Sequence, residues 1–266
     1  MSIWLAILVI GLFAAAAMAV AWRVVLATGN SGWADAFWSF TVGIAGVAAA
    51  LAPLGGELSA RNWLVAALVA FWSLRLGTHI ARRTRKGADD PRYAELKRGW
   101  GDDWPRQMLL FLEIQAGVAL LLAVAVMAAA HAPGPLGIGD AIGVAIAVLA
   151  IVGEAISDAQ LRRFAADPAN RGRVCAVGLW SASRHPNYFF EWLYWVGLVP
   201  IGLGSGWGWI SLVAPILMYV LLRHVSGVPP LEAHMLRSRG EAYRAYQQRV
   251  PAFWPIRLSQ QTPAGR

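Results

Sequence analysis

The stretch Gly178-Leu-Trp-Ser-Ala-Ser-Arg-His-Pro-Asn-Tyr-Phe-Phe-Glu-Trp192 places polar side chains at the start of an uncharged run that continues to Leu222. Its proline indicates a helix start, because proline suits the first helical turn, where its missing N–H is not needed. Polar side chains at the edge of a membrane segment are costly unless a function uses them. The stretch therefore indicates both a membrane helix and a functional site. Its four polar candidates are Arg184, His185, Asn187 and Glu191.

The composition of the chain indicates a polytopic membrane protein. Of its 266 residues, 58% are hydrophobic and 14% are charged, and the mean hydropathy is +0.50. Such long apolar runs are typical of membrane-spanning helices. We attribute the net charge of +8 to basic loops that orient the protein in the membrane, so no nucleic-acid partner is expected. With Cys175 as the single cysteine, neither a disulfide framework nor a metal site is expected, and no obligate protein partner is evident.

Seven spans are predicted in an all-α bundle, because a helix needs roughly 20 apolar residues to cross the bilayer core. The last two come from one uncharged run that is too long for a single helix, and the glycines between Gly202 and Gly208 would break it into a hairpin. The predicted spans lie near Trp4–Ala27, Phe37–Gly55, Asn62–Arg82, Met108–His131, Ile138–Gln160, Asn187–Leu203 and Trp207–Leu222.

The distribution of basic residues predicts the orientation of the bundle. Alternate connections between the predicted spans hold nearly all the arginines and lysines, whereas the opposite connections hold only Arg61. Positively charged loops favour the cytoplasmic side. We therefore expect the N-terminus outside and the C-terminus in the cytoplasm.

Two features around the opening stretch favour an anionic ligand at the cytoplasmic face. The free amides at the helix start near Pro186 form an anion site, and several arginines precede it. Orientation signalling alone would also explain these arginines, and Glu191 could instead pair with one of them. The arginines considered as phosphate ligands are Arg162, Arg171, Arg173 and Arg184.

Two further groups offer polar contacts on the predicted cytoplasmic side. Glu154, Asp158 and Arg162 are spaced four residues apart and share one helix face. They could pair with each other, or Asp158 could accept from a ribose or an amide while Arg162 faces a phosphate. In Asp89-Asp90-Pro91-Arg92-Tyr93 the Asp-Pro step favours a turn. This segment could close over a ligand or simply be a solvated loop.

Four polar residues remain within the membrane half of the chain: Asp35, His79, Glu113 and Gln115. A carboxylate such as Glu113 costs about 3 kcal/mol at depth by insertion scales, which favours a functional role. Asp35 precedes an apolar run and could equally be a helix N-cap.

Several motifs spread along the chain form a family pattern. They are Gly178-Leu-Trp, Ser183-Arg-His-Pro-Asn-Tyr-Phe with Glu191, Ser226-Gly-Val-Pro-Pro-Leu-Glu232, and Tyr243-Arg-Ala-Tyr246 before Phe253. The resemblance also includes Trp72-Ser-Leu-Arg-Leu-Gly77, Asp90-Pro-Arg-Tyr93, Gln115 and residues 154–160, and it is weaker in the N-terminal half of the chain. Together they resemble bacterial membrane proteins of the steroid 5-alpha-reductase type, the DUF1295 group.

This resemblance implies a seven-helix bundle in the bacterial inner membrane that binds NADPH from the cytoplasm. Residues 1–266 would form one membrane domain, with substrate-cavity helices in 1–131 and cofactor-binding segments in 138–266. The family's substrate-gripping Gln-Glu pair is replaced here by Ala34-Asp35-Ala36-Phe37-Trp38, and His79 lies near the family's tyrosine. The implied cofactor contacts are Arg92, Tyr93, Asp158, Arg162, Arg173, Asn187, Glu191 and Glu232. The residue pattern adds Arg171, Arg184 and His185 to the predicted cofactor site.

The predicted activity is NADPH-dependent reduction of the carbon–carbon double bond of a hydrophobic 3-oxo-4-ene, most simply a steroid. We assign catalysis to Asp35, Glu113 and Tyr93, with Asp35 as a protonated acid that polarises the ketone. Substrate contacts are assigned to Asp35, Trp38, His79 and Gln115.

Two alternatives stay open. The Arg-His-Pro-x-Tyr motif with a distal Glu also resembles membrane methyltransferases that use S-adenosylmethionine on isoprenylcysteine or phospholipid amines. The second alternative is a lipid- or sterol-binding protein without enzymatic activity, whose basic loops contact anionic headgroups.

Overall fold

The computed structural model describes residues 1–87 and 89–255. Helix makes up 80% of the structure, and no strand occurs within those ranges, which confirms the predicted all-α class. The α-helices are α1 (Ile3–Thr28), α2 (Gly32–Ala50), α3 (Ala60–Lys86), α4 (Pro91–Trp100), α5 (Trp104–Ala130), α6 (Ile138–Ala166), α7 (Pro186–Val196), α8 (Leu198–Gly202), α9 (Val213–Val220), α10 (Val228–Arg239) and α11 (Glu241–Arg249).

Six helical stretches within the described residues are long and apolar enough to cross a membrane. The first five correspond to the first five predicted spans, and the sixth overlaps the predicted Trp207–Leu222 from Gly208 onward. The chain is therefore a membrane protein by helix length and composition. These stretches are Ile3–Thr28, Gly32–Ala50, Ala60–Lys86, Arg92–Ala130, Ile138–Ala166 and Gly208–Arg239.

The structure departs from the prediction at Asn187–Leu203, which is not one spanning helix. It divides into α7, with 11 residues, and α8, with five. An 11-residue helix rises about 16 Å, roughly half of the bilayer core. The break has a local cause, because Pro200 has no N–H to donate to the carbonyl of Val196. A seventh span stays a prediction, as does the orientation.

The chain forms two compact units. The N-terminal unit comprises Met1–Ala145 and Val196–Ile216. The C-terminal unit comprises Ile146–Trp195 and the described residues from Leu217 onward. The predicted single domain, with its division between residues 131 and 138, stays a prediction.

Small residues let the helices of the N-terminal unit approach closely. Gly43 of α2 packs against Ser73 of α3, and a side chain at Gly46 would overlap Val69. The Ser73 hydroxyl also donates a hydrogen bond to the carbonyl of Ser39, at 2.9 Å. Close helix contacts of this kind drive association in membranes, where apolar burial gives little advantage.

A buried ion pair joins the start of α3, the segment that follows α5 and the start of α6. The Arg61 guanidinium donates to both carboxylate oxygens of Asp140, at 2.7 and 2.8 Å. It also donates to four successive carbonyls, from Ala132 to Pro135. Both side chains are almost fully buried. The single basic residue on the predicted outer side is thus neutralised inside the protein.

The tail helices of the C-terminal unit are held against the 178–185 segment. The Tyr246 hydroxyl donates to the carbonyl of Trp180, and Ser183 Oγ donates to the carbonyl of Phe253 at 2.9 Å. The backbone N–H of Arg184 donates to the carbonyl of Pro251 at 2.9 Å. Residues nearly 70 positions apart are therefore joined at this segment.

Candidate functional site

The N-terminal unit brings Asp35 and Tyr93 together. The Tyr93 hydroxyl donates to Asp35 Oδ1 at 2.6 Å, and Arg92 donates to Asp35 Oδ2. Tyr93 is only 4% exposed, although it follows a polar loop in the sequence. We refer to Asp35, Arg92, Tyr93 and Gln115 as the tyrosine cluster.

Gln115 and Trp38 also lie around the Tyr93 hydroxyl. The side chain of Gln115 adjoins this hydroxyl. The Trp38 indole N–H donates to the backbone carbonyl of Gln115 at 3.2 Å. Gln115 Oε1 is buried and has no hydrogen-bond partner among the described residues. A buried acceptor without a partner costs about 1–3 kcal/mol, which a bound donor group would offset.

Hydrogen bonds of two aspartates, Asp89 and Asp90, hold the polar segment before Tyr93 in place, so that Tyr93 lies in the interior. Asp89 accepts from the backbone N–H of Ser31 at 2.6 Å and from Lys97 at 2.8 Å. Asp90 caps α4 by accepting from the Arg92 N–H at 3.0 Å. Burial raises the pKa of Asp90, but its hydrogen bonds to Arg92 and the charge of that residue outweigh burial and lower the pKa below its usual value.

Asp35 occupies a different position from the N-cap considered in the sequence. The N-cap of α2 is Ser31, and Asp35 lies in the first turn of the helix. It accepts from both Arg92 and Tyr93, so both of its carboxyl oxygens are engaged as acceptors. The role of Asp35 as a protonated acid, expected from the sequence, stays a prediction.

Two other candidates of the membrane half, Glu113 and His79, are not assigned to the tyrosine cluster. Glu113 precedes Gln115 by two residues on α5, so the two side chains point about 160° apart. Glu113 is next to Ile114, which is 68% exposed. His79 is half-buried on α3, and its substrate contact stays a prediction.

The C-terminal unit gathers a second set of predicted residues around Glu232. Arg184 Nε donates to Glu232 Oε1 at 2.7 Å, and Gln247 Nε2 donates to Oε2 at 2.8 Å. Arg184 also donates to the carbonyls of Gln247 and Val250. These contacts fasten α10 and α11 to the start of α7. Arg184 and Glu232 therefore hold the tail, a role that the sequence did not suggest.

His185 belongs to the same cluster and is 2% exposed. Its Nε2 lies 3.1 Å from Glu232 Oε1, and its Nδ1 has no partner among the described residues. Burial lowers the pKa of His185, and the hydrogen bond to Glu232 opposes this only in part. The neutral imidazole thus donates from Nε2 and leaves Nδ1 as a free acceptor.

The remaining cofactor candidates divide by burial. Asp158 and Glu191 are 8% and 5% exposed, and Glu191 accepts from the Trp195 indole N–H at 3.0 Å. Asn187 is half-buried one turn before Glu191. The exposed candidates are Arg162, Arg171 and Arg173.

Sequence reasoning missed how Asp89 and Gln247 take part in these clusters. The contact of Asp89 with the Ser31 N–H spans 58 residues, so residue spacing along the chain does not reveal it. No local signal points to Gln247, which reaches Glu232 from 15 residues away.

A protein-family model described as "Protein of unknown function (DUF1295)" matches residues 21–250. That family contains membrane proteins related to steroid 5-alpha-reductase-like proteins. No curated protein and no solved structure matches the chain. The matched range includes the tyrosine cluster and the residues around Glu232.

Proposed function

The chain belongs to the DUF1295 family, and from this premise we propose that it is a membrane reductase. It uses NADPH to reduce the conjugated double bond of a hydrophobic enone, with 3-oxo-4-ene steroids as the first class to test. The observation that supports this proposal most is the buried Tyr93 hydroxyl, held between Asp35 and Gln115 in an apolar helical unit.

Enone reduction requires a hydrogen-bond donor at the ketone oxygen, where negative charge develops as the β carbon is reduced. Both oxygens of Asp35 already accept hydrogen bonds, from Tyr93 and from Arg92, so neither is placed to donate to a ketone. Tyr93 carries the available hydroxyl, which can turn from Asp35 to a ketone oxygen. In this proposal Tyr93 is the catalytic donor, and Asp35 and Arg92 position it.

The donor set of the C-terminal unit is compatible with a phosphorylated nucleotide. Arg171 and Arg173 are exposed and form no ion pair within the described part of the chain, so they are available to phosphates. Asn187 and the free Nδ1 of His185 offer polar contacts for uncharged groups. When bound, NADPH would supply the hydride that adds to the β carbon.

The decisive experiment follows NADPH absorbance with purified protein and a panel of 3-oxo-4-ene steroids and simpler enones. We expect steroid-dependent oxidation that Tyr93→Phe lowers at least about 10²-fold, the usual loss for one oxyanion donor. NADPH affinity should be unchanged, because Tyr93 is assigned to the substrate.

The matched control is Tyr219→Phe, which removes a hydroxyl from a half-buried aromatic cluster elsewhere and should keep parental turnover. Asp35→Asn should lower turnover less than Tyr93→Phe, since it disturbs only the positioning of the donor. Full turnover in Tyr93→Phe would remove the tyrosine from the mechanism. No oxidation with any enone would remove the proposed activity.

A methyltransferase is the second candidate, and one observation favours it. Glu154, Asp158 and Glu191 are all buried in the C-terminal unit, at 4%, 8% and 5% exposure. Buried carboxylates suit a cationic cofactor such as S-adenosylmethionine better than an anionic one. Tryptophan fluorescence titrations with both cofactors discriminate the two. A saturable response to S-adenosylmethionine alone would favour this second function.

A further inference from the structure

The outer surface of the N-terminal unit has an apolar groove between α1 and α2. Its cavity has a volume of about 420 Å³, within the range of ordinary ligand sites. Phe13, Ala17 and Val20 line it from α1, and Trp33, Phe37 and Phe40 are among its lining residues from α2.

The groove is separate from the tyrosine cluster. On α2, the lining residues Trp33, Phe40 and Ile44 lie on the opposite side of the helix from Asp35, about 140–180° around its axis. Ile44 is 56% exposed and Val20 is 53% exposed, so this side faces the surroundings of the bundle. Asp35 faces the interior, toward Tyr93. A molecule in the groove would not touch the proposed catalytic hydroxyl.

The lining selects a hydrocarbon occupant. Among the described residues that line it, only Thr41 and Trp33 carry a polar side-chain group. Away from these two donors the lining offers no partner for a ketone or a carboxylate, and burying either one unpaired would be costly. Along α2 the groove runs from Trp33 to Ile44, about 16 Å at the rise of an α-helix. This length and lining fit an acyl chain.

A positive charge lies at one end of the groove. Arg23 is exposed on α1, three residues beyond Val20, and forms no ion pair with the described residues. It lies at the end marked by Trp33, because α1 and α2 run in opposite directions across a short turn. Tryptophan and arginine together are typical of the membrane interface, where headgroups lie.

We propose that this groove binds an anionic phospholipid, with an acyl chain along Ala17 and Phe40 and the headgroup at Arg23. The site is independent of the proposed reductase activity. A zwitterionic phospholipid would fill the groove equally well, but its cationic group would oppose the attraction of its phosphate to Arg23.

Native mass spectrometry of the full chain in detergent tests this inference, with phosphatidylglycerol and phosphatidylcholine as the two probes. The parent should retain phosphatidylglycerol more strongly. Arg23→Gln should weaken that retention about fivefold, the factor for about 1 kcal/mol from one basic residue near an anionic headgroup. Arg85→Gln, which removes an exposed arginine from α3, is the matched control and should behave as the parent.

Ala17→Phe fills the groove and should abolish retention of phosphatidylglycerol. Ala16→Phe, at the exposed neighbouring position, should leave it unchanged. If Ala17→Phe fails to fold, as judged by thermal unfolding, Val20→Trp at the exposed end of the groove carries the same expectation. Parental retention in the groove-filled variant, or equal retention of the two lipids by the parent, would overturn the proposal.

Discussion

His185 shows how burial and one hydrogen bond set the chemistry of a single side chain. It is almost fully enclosed, and its Nε2 is committed to Glu232. Burial penalises the imidazolium and lowers the pKa of His185, despite the neighbouring carboxylate. Arg184 and Arg223 add to this effect through their positive charge. The residue is therefore a neutral acceptor at Nδ1 and a poor ligand for phosphate.

This state makes the stability of the protein depend on pH. An unfolded histidine titrates near pH 6.5, and folding lowers the pKa of His185 below this value. As the pH falls through about 6.5, the unfolded chain gains the proton first, so the folded state loses stability. The loss continues until the pH reaches the lower pKa of the folded state.

We expect the thermal unfolding temperature to fall less steeply between about pH 7 and pH 5 in His185→Gln than in the parent. The control variant His224→Gln, at an exposed position, should keep the parental slope. Identical slopes in the parent and His185→Gln would show that this histidine does not contribute to the pH dependence.

At the scale of helices, the neighbours of a glycine decide whether a larger residue can replace it. A Cβ at Gly43 would overlap the side chain of Ser73 on α3, whereas a Cβ at Gly117 of α5 would meet nothing within 4 Å. Both glycines lie within long helices. The same substitution should thus have opposite effects at the two positions.

Gly43→Ala should destabilise the protein by about 1–3 kcal/mol, the usual cost of overpacking. Gly117→Ala should be neutral or stabilising by up to about 1 kcal/mol, because alanine favours the helix. Thermal unfolding in detergent measures both. A destabilisation of equal size in the two variants would contradict close packing of α2 against α3.

For the whole molecule, the ion pair of Arg61 with Asp140 bears on orientation. Arg61 is the one basic residue that the predicted topology places outside, and it is buried and paired. A neutralised charge gives little orientation signal, so the exception to the positive-inside pattern has a structural explanation. The predicted orientation remains to be measured.

Cysteine labelling in cells measures it, in a Cys175→Ala background that removes the only native thiol. With the N-terminus outside, Glu57→Cys in the exposed α2–α3 connection should react with a membrane-impermeant maleimide in intact cells. Arg171→Cys, also exposed, should react only after permeabilisation. The reverse pattern would invert the topology.

The sequence by itself determined the helical class, the membrane character and five of the spans, because apolar length and helical period are local properties. It also identified most of the polar residues in both clusters. The broken helix α7–α8 was missed, although Pro200 offered a local signal for the break.

Only the tertiary structure decided which polar residues meet and what they do. Tyr93 reaches Asp35 across 58 residues, and Arg184 reaches Glu232 across 48. Such pairs depend on how whole helices pack, which residue spacing along the chain does not specify. For the same reason, helix packing and not residue type made Tyr93 a buried donor, Asp35 its acceptor and Arg184 an anchor of the tail.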